Sequence, residues 1–324
     1  MNVRVHLQGI VCLICGLALL GSLVGAQKGE AGTYYVATDG SDSNPGTEAQ
    51  PFQTLSRGVD SLSAGDILYV KNGTYTSWGY AILPSGASWS NPIIIAAYPG
   101  HSPVIVKSAQ GPHTLEFINN SYMIIDGFSI DGTGATNGIK ITYSPYGIAN
   151  HIRIQNSEIS HAVADGIVMT SGSDGNEFVN LQVHDNGTNG FAHGIYVVSS
   201  DNIVEGCSIY DNTGWGVHVY SSLGSTNNNI IRNNEIHGNG RSGRGDGILL
   251  SSGVGNQAYD NDIWGNINGI RIDYGASDTY VGGNTIHGNA AYDIDIGAGS
   301  RNALIESNSI SGSISDYGVS TRIF

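Results

Sequence analysis

Apolar and variable positions alternate along the chain in a recurring phrase, Gly-Ile-x-Ile. It reads Asn137-Gly138-Ile139-Lys140-Ile141, Asp165-Gly166-Ile167-Val168-Met169, His193-Gly194-Ile195-Tyr196-Val197, Trp215-Gly216-Val217-His218-Val219, Asp246-Gly247-Ile248-Leu249-Leu250 and Asn268-Gly269-Ile270-Arg271-Ile272, with Tyr292-Asp293-Ile294-Asp295-Ile296 as a variant lacking the glycine. The glycines step by 28, 28, 22, 31 and 22 residues. A second phrase lies between these: Val183-His184-Asp185-Asn186, Ile209-Tyr210-Asp211-Asn212, Ile236-His237-Gly238-Asn239, Ile263-Trp264-Gly265-Asn266 and Ile286-His287-Gly288-Asn289. A period of two predicts strands with one buried face. Two or three short strands per repeat of about 22 to 28 residues, punctuated by Gly and Asn, predict the coils of a solenoid. A leucine-rich repeat would show its Leu/Asn signature and a propeller would need longer blades. The pattern therefore predicts an all-β, single-stranded right-handed parallel β-helix.

Asparagine at a bend tolerates left-handed geometry and can bond up the stack, so the Asn column predicts a ladder. A second column reads Cys207, Asn234, Asn261, Asn284, Asn308, which makes Cys207 a buried ladder substitute. The segment before the coils differs. It predicts a short helix near Leu55–Leu62, a strand at Asp66–Val70, and an N-terminal cap with first coils over residues 33–100. The β-helix domain as a whole spans 27–324.

Composition narrows the picture. Charged residues are 12% of the 324, and Gly numbers 47 without a G-X-Y period, which excludes collagen and argues against a helical bundle. The net charge of −14 has the wrong sign for a nucleic-acid binder. It also repels an acidic polymer unless a local basic patch or a bound cation intervenes. Arg4 and His6 precede an apolar run from Ile10 to Val24 that ends Val24-Gly25-Ala26, which predicts a cleaved leader over residues 1–26. The expectation is a secreted or periplasmic monomer, free of the membrane after cleavage, with Cys207 as its remaining cysteine.

In Gly-Ile-x-Ile the residue x points outward. Stacking the coils makes one outer column: Lys140, Val168, Tyr196, His218, Leu249, Arg271, Asp295. Coils lie about 4.8 Å apart, so Tyr196 and His218 are expected as neighbours, with Arg271 roughly 10 Å beyond. The neighbouring glycines are expected to leave bare backbone that a sugar ring can approach. His193 and Trp215 precede their glycines, where facing is ambiguous. His193 is expected to flank Tyr196 at about 10 Å. The longest step contains Asn239-Gly240-Arg241-Ser242-Gly243-Arg244-Gly245-Asp246, an insertion expected to form a loop beside the outer column. The candidate catalytic residues are Tyr196, His218, His193 and Arg244. The candidate substrate contacts are Lys140, Asp165, Trp215, Arg241, Asp246 and Arg271.

The opening Tyr34-Tyr35-Val36, Asp39-Gly40-Ser41-Asp42, Asn44-Pro45-Gly46-Thr47, Pro51-Phe52-Gln53-Thr54-Leu55, Gly65-Asp66, Tyr69-Val70 and Gly73-Thr74-Tyr75 resembles that of many secreted bacterial β-helix proteins. Together with the coils, the resemblance is to the pectate-lyase-like superfamily and covers roughly residues 33–324. It implies a carbohydrate-active protein, because polysaccharide lyases, uronan epimerases and glycoside hydrolases share this fold. The Arg-Pro and Asp-Pro-His motifs of two of its families are absent, and no paired Asp precedes His193-Gly194.

β-Elimination at a uronic acid needs a base for the C5 proton, an acid for the leaving oxygen and a cation at the carboxylate. Tyr196, His218 and Arg244 supply those types, so the expected function is a polysaccharide lyase or related uronan-modifying enzyme on an acidic polysaccharide. A glycoside hydrolase needs two suitably spaced carboxylates. Asp165 and Asp246 lie three coils apart, and Asp293 and Asp295 share one late strand. A non-catalytic glycan-binding or structural solenoid is the other alternative. Ca²⁺ is a candidate cofactor through Asp39, Asp42 and Asn44, or through Asp126 and Asp131, although the same residues build turns without metal.

Overall fold

In the computed structural model the described residues are 31–79, 83–145, 147–222 and 225–324. Residues 1–26, the expected leader, lie outside them. The chain from Ala31 onward winds as a right-handed parallel β-solenoid whose strands form three sheets of 12, 10 and 10 strands. Among the described strands, Gly147–Ile148 folding back on Tyr143 and Ser144 is the antiparallel exception.

The phrase Gly-Ile-x-Ile forms the third sheet. Its predicted inner stack, Ile139, Ile167, Ile195, Val217, Ile248, Ile270 and Ile294, is paired coil to coil and fully buried. The first sheet reaches back to Thr33–Val36, which pairs in parallel with Ile67–Val70. The helix is short, Leu55–Val59, with Thr54 as N-cap accepting from the Arg57 amide. Leu55 and Val59 are buried on its inner side and join the hydrophobic core of the first coils.

Polar ladders hold the bends. Asn186, Asn212, Asn239, Asn266 and Asn289 pass hydrogen bonds from coil to coil, each Oδ1 receiving the amide of the preceding rung. Cys207, Asn234, Asn261, Asn284 and Asn308 form the second ladder. The Cys207 thiol lies against the Phe178 and Glu205 carbonyls, and burial pushes it up to about 12, which keeps it a protonated packing group. A third ladder, Asn176, Asn202, Asn229 and Asn256, has no counterpart in the phrases above. Buried amides paired in this way satisfy the bend backbone that no strand can.

The glycine of each phrase serves this packing. A Cβ on Gly194 would meet the Gly216 carbonyl at 2.7 Å, Ile209 Cγ2 at 2.8 Å and Asn212 Nδ2 at 2.9 Å. The glycine column therefore seats the ladder inside the coil. It does not bare the backbone to a sugar, which corrects the expectation above.

On the second sheet the His184, Tyr210, His237, Trp264 and His287 rings stack in sequence, with centroids 4.7, 5.2, 4.3 and 5.7 Å apart. Tyr210 and Trp264 fill the gaps between the histidines.

Candidate active site

The outer column of the third sheet is formed as the alternation requires. Lys140, Val168, Tyr196, His218, Leu249, Arg271 and Asp295 are successive cross-strand partners. Glu116 extends it beside Lys140. Tyr196 and His218 stack with ring centroids 5.2 Å apart.

His193 joins them more closely than a strand-length offset allows. Its ring stacks on Tyr196 at 4.3 Å, not 10 Å, and on Trp215 at 5.1 Å. Alternation breaks at Gly194, whose missing Cβ faces the ladder, so the residue before it is delivered to the outer side. The position preceding each glycine thus forms a second column, and it contains Asp165, His193, Trp215 and Asp246.

A hydrogen-bonded relay crosses the two columns. Asp165 Oδ1 lies 2.8 Å from His193 Nδ1 and also accepts the His193 amide at 3.0 Å. His193 Nε2 lies 3.0 Å from His218 Nδ1. His218 Nε2 lies 2.9 Å from Ser251 Oγ. Asp165 is therefore bonded to His193, in place of the substrate contact expected of it. Ser251, two residues beyond the outward position of its strand, was not among the candidates.

Electrostatics separate the two partners of the stacked pair. Burial, then the neighbouring His193, holds the His218 imidazole well below its ordinary value. Burial, then Asp165 and Tyr220, raises the Tyr196 phenol. Near neutrality His218 is a free base and Tyr196 retains its proton.

These groups line a cleft of about 400 Å³, walled by Phe191, Trp215, Tyr220 and Tyr274 with Leu249 on its floor. A larger hollow of about 550 Å³ beside Thr54 and Trp78 is lined, among the described residues, by no carboxylate, histidine or basic side chain.

The cations are distributed unevenly. Arg244 lies over the Phe191 ring at 5.2 Å and has no carboxylate within ion-pair distance among the described residues. Arg241 is turned away and bridges Asp185 and Asp211, each at 2.8 Å. Arg271 is held by Asp273 at 2.6 Å and Asp295 at 3.3 Å. Both arginines, expected as substrate contacts, are instead engaged by carboxylates of the chain itself. Asp246 is buried behind Trp215, bonded to its indole N–H at 3.2 Å and to Asn268 Nδ2 at 2.6 Å. It fixes the tryptophan and does not face the cleft. Lys140 stays in the outer column, three coils from His218.

Among the described residues no three His, Cys, Asp or Glu side chains are grouped to hold a metal ion. Asp42 is engaged by the Gln53 and Thr54 amides, and Asp126 by Gln155 and Asn156. Asp131 binds Thr133 and His161.

Comparison with known proteins places this architecture. The family model for the Pel9A-like right-handed beta helix region matches residues 34–190, and the right-handed beta helix region model matches residues 188–321. Pectate lyase PEL9 of Emericella nidulans is 26% identical over 244 residues, covering 73% of this chain and 48% of that protein. The chain thus spans about half the length of the curated relative it matches. The solved structure of pectate lyase Pel9A superposes with a TM-score of 0.63 at 20% identity, over 88% of this chain and 78% of the other. The alginate lyase of Paenibacillus sp. str. FPU-7 gives 0.68 at 20%, over 82% and 95%. The mannuronan C-5 epimerase AlgE4 A-module of Azotobacter vinelandii gives 0.57 at 19%, over 78% and 71%. At these identities the structural likenesses establish the fold alone. The paired β-helix matches and the three-sheeted solenoid agree that the chain belongs to the pectate-lyase-like right-handed β-helix proteins.

Proposed function

We propose that the chain is an extracytoplasmic enzyme that breaks an acidic polysaccharide by β-elimination at a uronic acid unit. The observation that carries this reading is the stacked pair Tyr196 and His218, whose surroundings push their proton affinities apart. Lyases and an epimerase among the structural relatives support it.

His218 Nε2 takes the C5 proton as Ser251 gives up that nitrogen. The C–H electron pair becomes the C4–C5 double bond, and the C4–O bond breaks. Tyr196 donates its phenolic proton to the leaving oxygen. Arg244 neutralises the carboxylate that shares the developing charge. The resulting imidazolium is stabilised through His193 by Asp165, and its proton returns to the tyrosinate to close the cycle. Both transfers use groups whose resting forms near neutrality are the ones required.

Absorbance of the unsaturated product tests the proposal on a panel of uronic-acid polymers, with calcium and with chelator. His218→Ala and Tyr196→Phe should each lose at least ~10²-fold of the rate while keeping the wild-type circular dichroism and melting. Full activity in both variants, or no product on any polymer, rejects it.

A further inference from the structure

The cleft's rings and its scarcity of free cations point to one class of polymer. Three aromatic side chains stand exposed along this face: Phe191 and Tyr274 at 68% and Tyr143 at 61%. Trp215, Tyr196 and Tyr220 lie between them. A second hollow of about 370 Å³, lined by Tyr143, Val168 and Val198, shares Tyr196 and Tyr220 with the first. The two join into a groove along the solenoid axis. From the Lys140 strand to the Arg271 strand is five steps, about 24 Å at about 4.8 Å per step.

Charge along that groove is opposed to a chain of uronates. Arg241 and Arg271 are spent on carboxylates, Lys140 neighbours Glu116, and Asp165, Asp273 and Asp295 lie in or beside the two columns. Among the described residues, Arg244 is the cation beside the aromatic cleft that no carboxylate pairs, and Lys140 lies three coils from His218 at the far end. A polymer carrying a carboxylate on every unit would place several unpaired charges against apolar rings and acidic groups, which is costly. A single acidic unit can sit at Arg244, with its neighbours laying their apolar C–H faces on the rings.

We infer that the groove accepts a mixed polysaccharide, in which one uronic acid unit is flanked by neutral sugars, in preference to a homopolymeric uronan. This inference rests on the β-elimination reading only for where the acidic unit sits. Its test is therefore binding, not turnover.

Isothermal titration with the whole chain compares gellan, whose glucuronates are separated by neutral sugars, with polygalacturonate, alginate and carboxyl-reduced gellan. Gellan should bind at least ~10-fold tighter than either homopolymer. Phe191→Ala and Tyr274→Ala should each weaken gellan binding by about 3- to 10-fold. Arg244→Ala should weaken gellan and leave the carboxyl-reduced polymer unaffected. Equal or tighter binding of the homopolymers, unchanged binding by the two aromatic variants, or no binding of gellan overturns the inference. Preferred binding of gellan, with turnover insensitive to Tyr196→Phe, would uphold it and reject the catalytic assignment.

Discussion

His193 Nε2 lies 3.0 Å from His218 Nδ1, so one ring must donate to the other. Asp165 decides which. Its carboxylate holds the hydrogen of a neutral His193 on Nδ1, leaving Nε2 as acceptor. His218 must then carry its hydrogen on Nδ1 and present a lone pair at Nε2, where the Ser251 hydroxyl donates. A carboxylate two coils' width away thus sets the tautomer of His218, the proposed base.

Asp165→Asn tests that dependence. An amide can donate to His193 Nδ1 and drive its hydrogen to Nε2, facing the hydrogen on His218 Nδ1. The expected result is a loss of about 10²- to 10⁴-fold in kcat with KM little changed, because no group facing the substrate is altered. Imidazole ¹⁵N shifts should show the exchanged tautomers. Wild-type kcat with altered shifts would remove the relay from the mechanism.

The pH profile of kcat/KM follows from the two shifted groups. His218 sits below its ordinary 6.5, so the base stays deprotonated to more acidic pH than an exposed histidine would. Tyr196 sits above 10, so the acid keeps its proton into strongly alkaline solution. Activity should therefore form a broad plateau, with its acid limb below pH 6.5 and its alkaline limb above pH 10. A narrow bell centred near pH 7 would show that other groups titrate.

The fold was legible because a strand with one wet face leaves a period of two in the sequence. Ile195, Tyr196, Val217 and His218 needed nothing beyond that alternation to be placed. His193 was not legible in the same way, because alternation fails at Gly194, where the chain bends over the Asn212 ladder. The fates of the arginines were hidden for another reason. Arg241 finds Asp185 across 56 positions of sequence, and only the closed stack brings them together. Ser251 was silent because a serine after a strand has many ordinary uses.

The asparagine ladder should dominate local stability. Asn212 Nδ2 reaches the Val183 carbonyl at 3.0 Å and Asn239 Oδ1 at 3.0 Å, and its own Oδ1 receives the Asn186 amide at 3.2 Å. Asn212→Leu and Asn239→Leu strand such groups in a dry interior, and each should cost about 1–3 kcal/mol of unfolding free energy. Denaturant midpoints check this, and wild-type midpoints in both would contradict the ladder.

Acid should destabilise the first coils through His113. Its ring is buried and its Nδ1 lies 3.2 Å from Asn137 Nδ2. Burial, then the Lys140 charge, lowers it from 6.5 to about 4. The unfolded chain therefore takes up a proton near pH 6.5 that the folded chain refuses until about pH 4. In that window the unfolded state binds more protons, so stability rises with pH. The contribution is fully present above pH 6.5 and is lost progressively as pH falls to about 4, and His218 acts in the same direction. His113→Asn removes the titrating group. Between pH 6.5 and 4 the variant's melting temperature should fall less steeply than that of the wild type, even if its melting temperature at pH 8 is lower. Parallel melting curves against pH would mean that His113 is already charged, or freely solvated, in the folded coil.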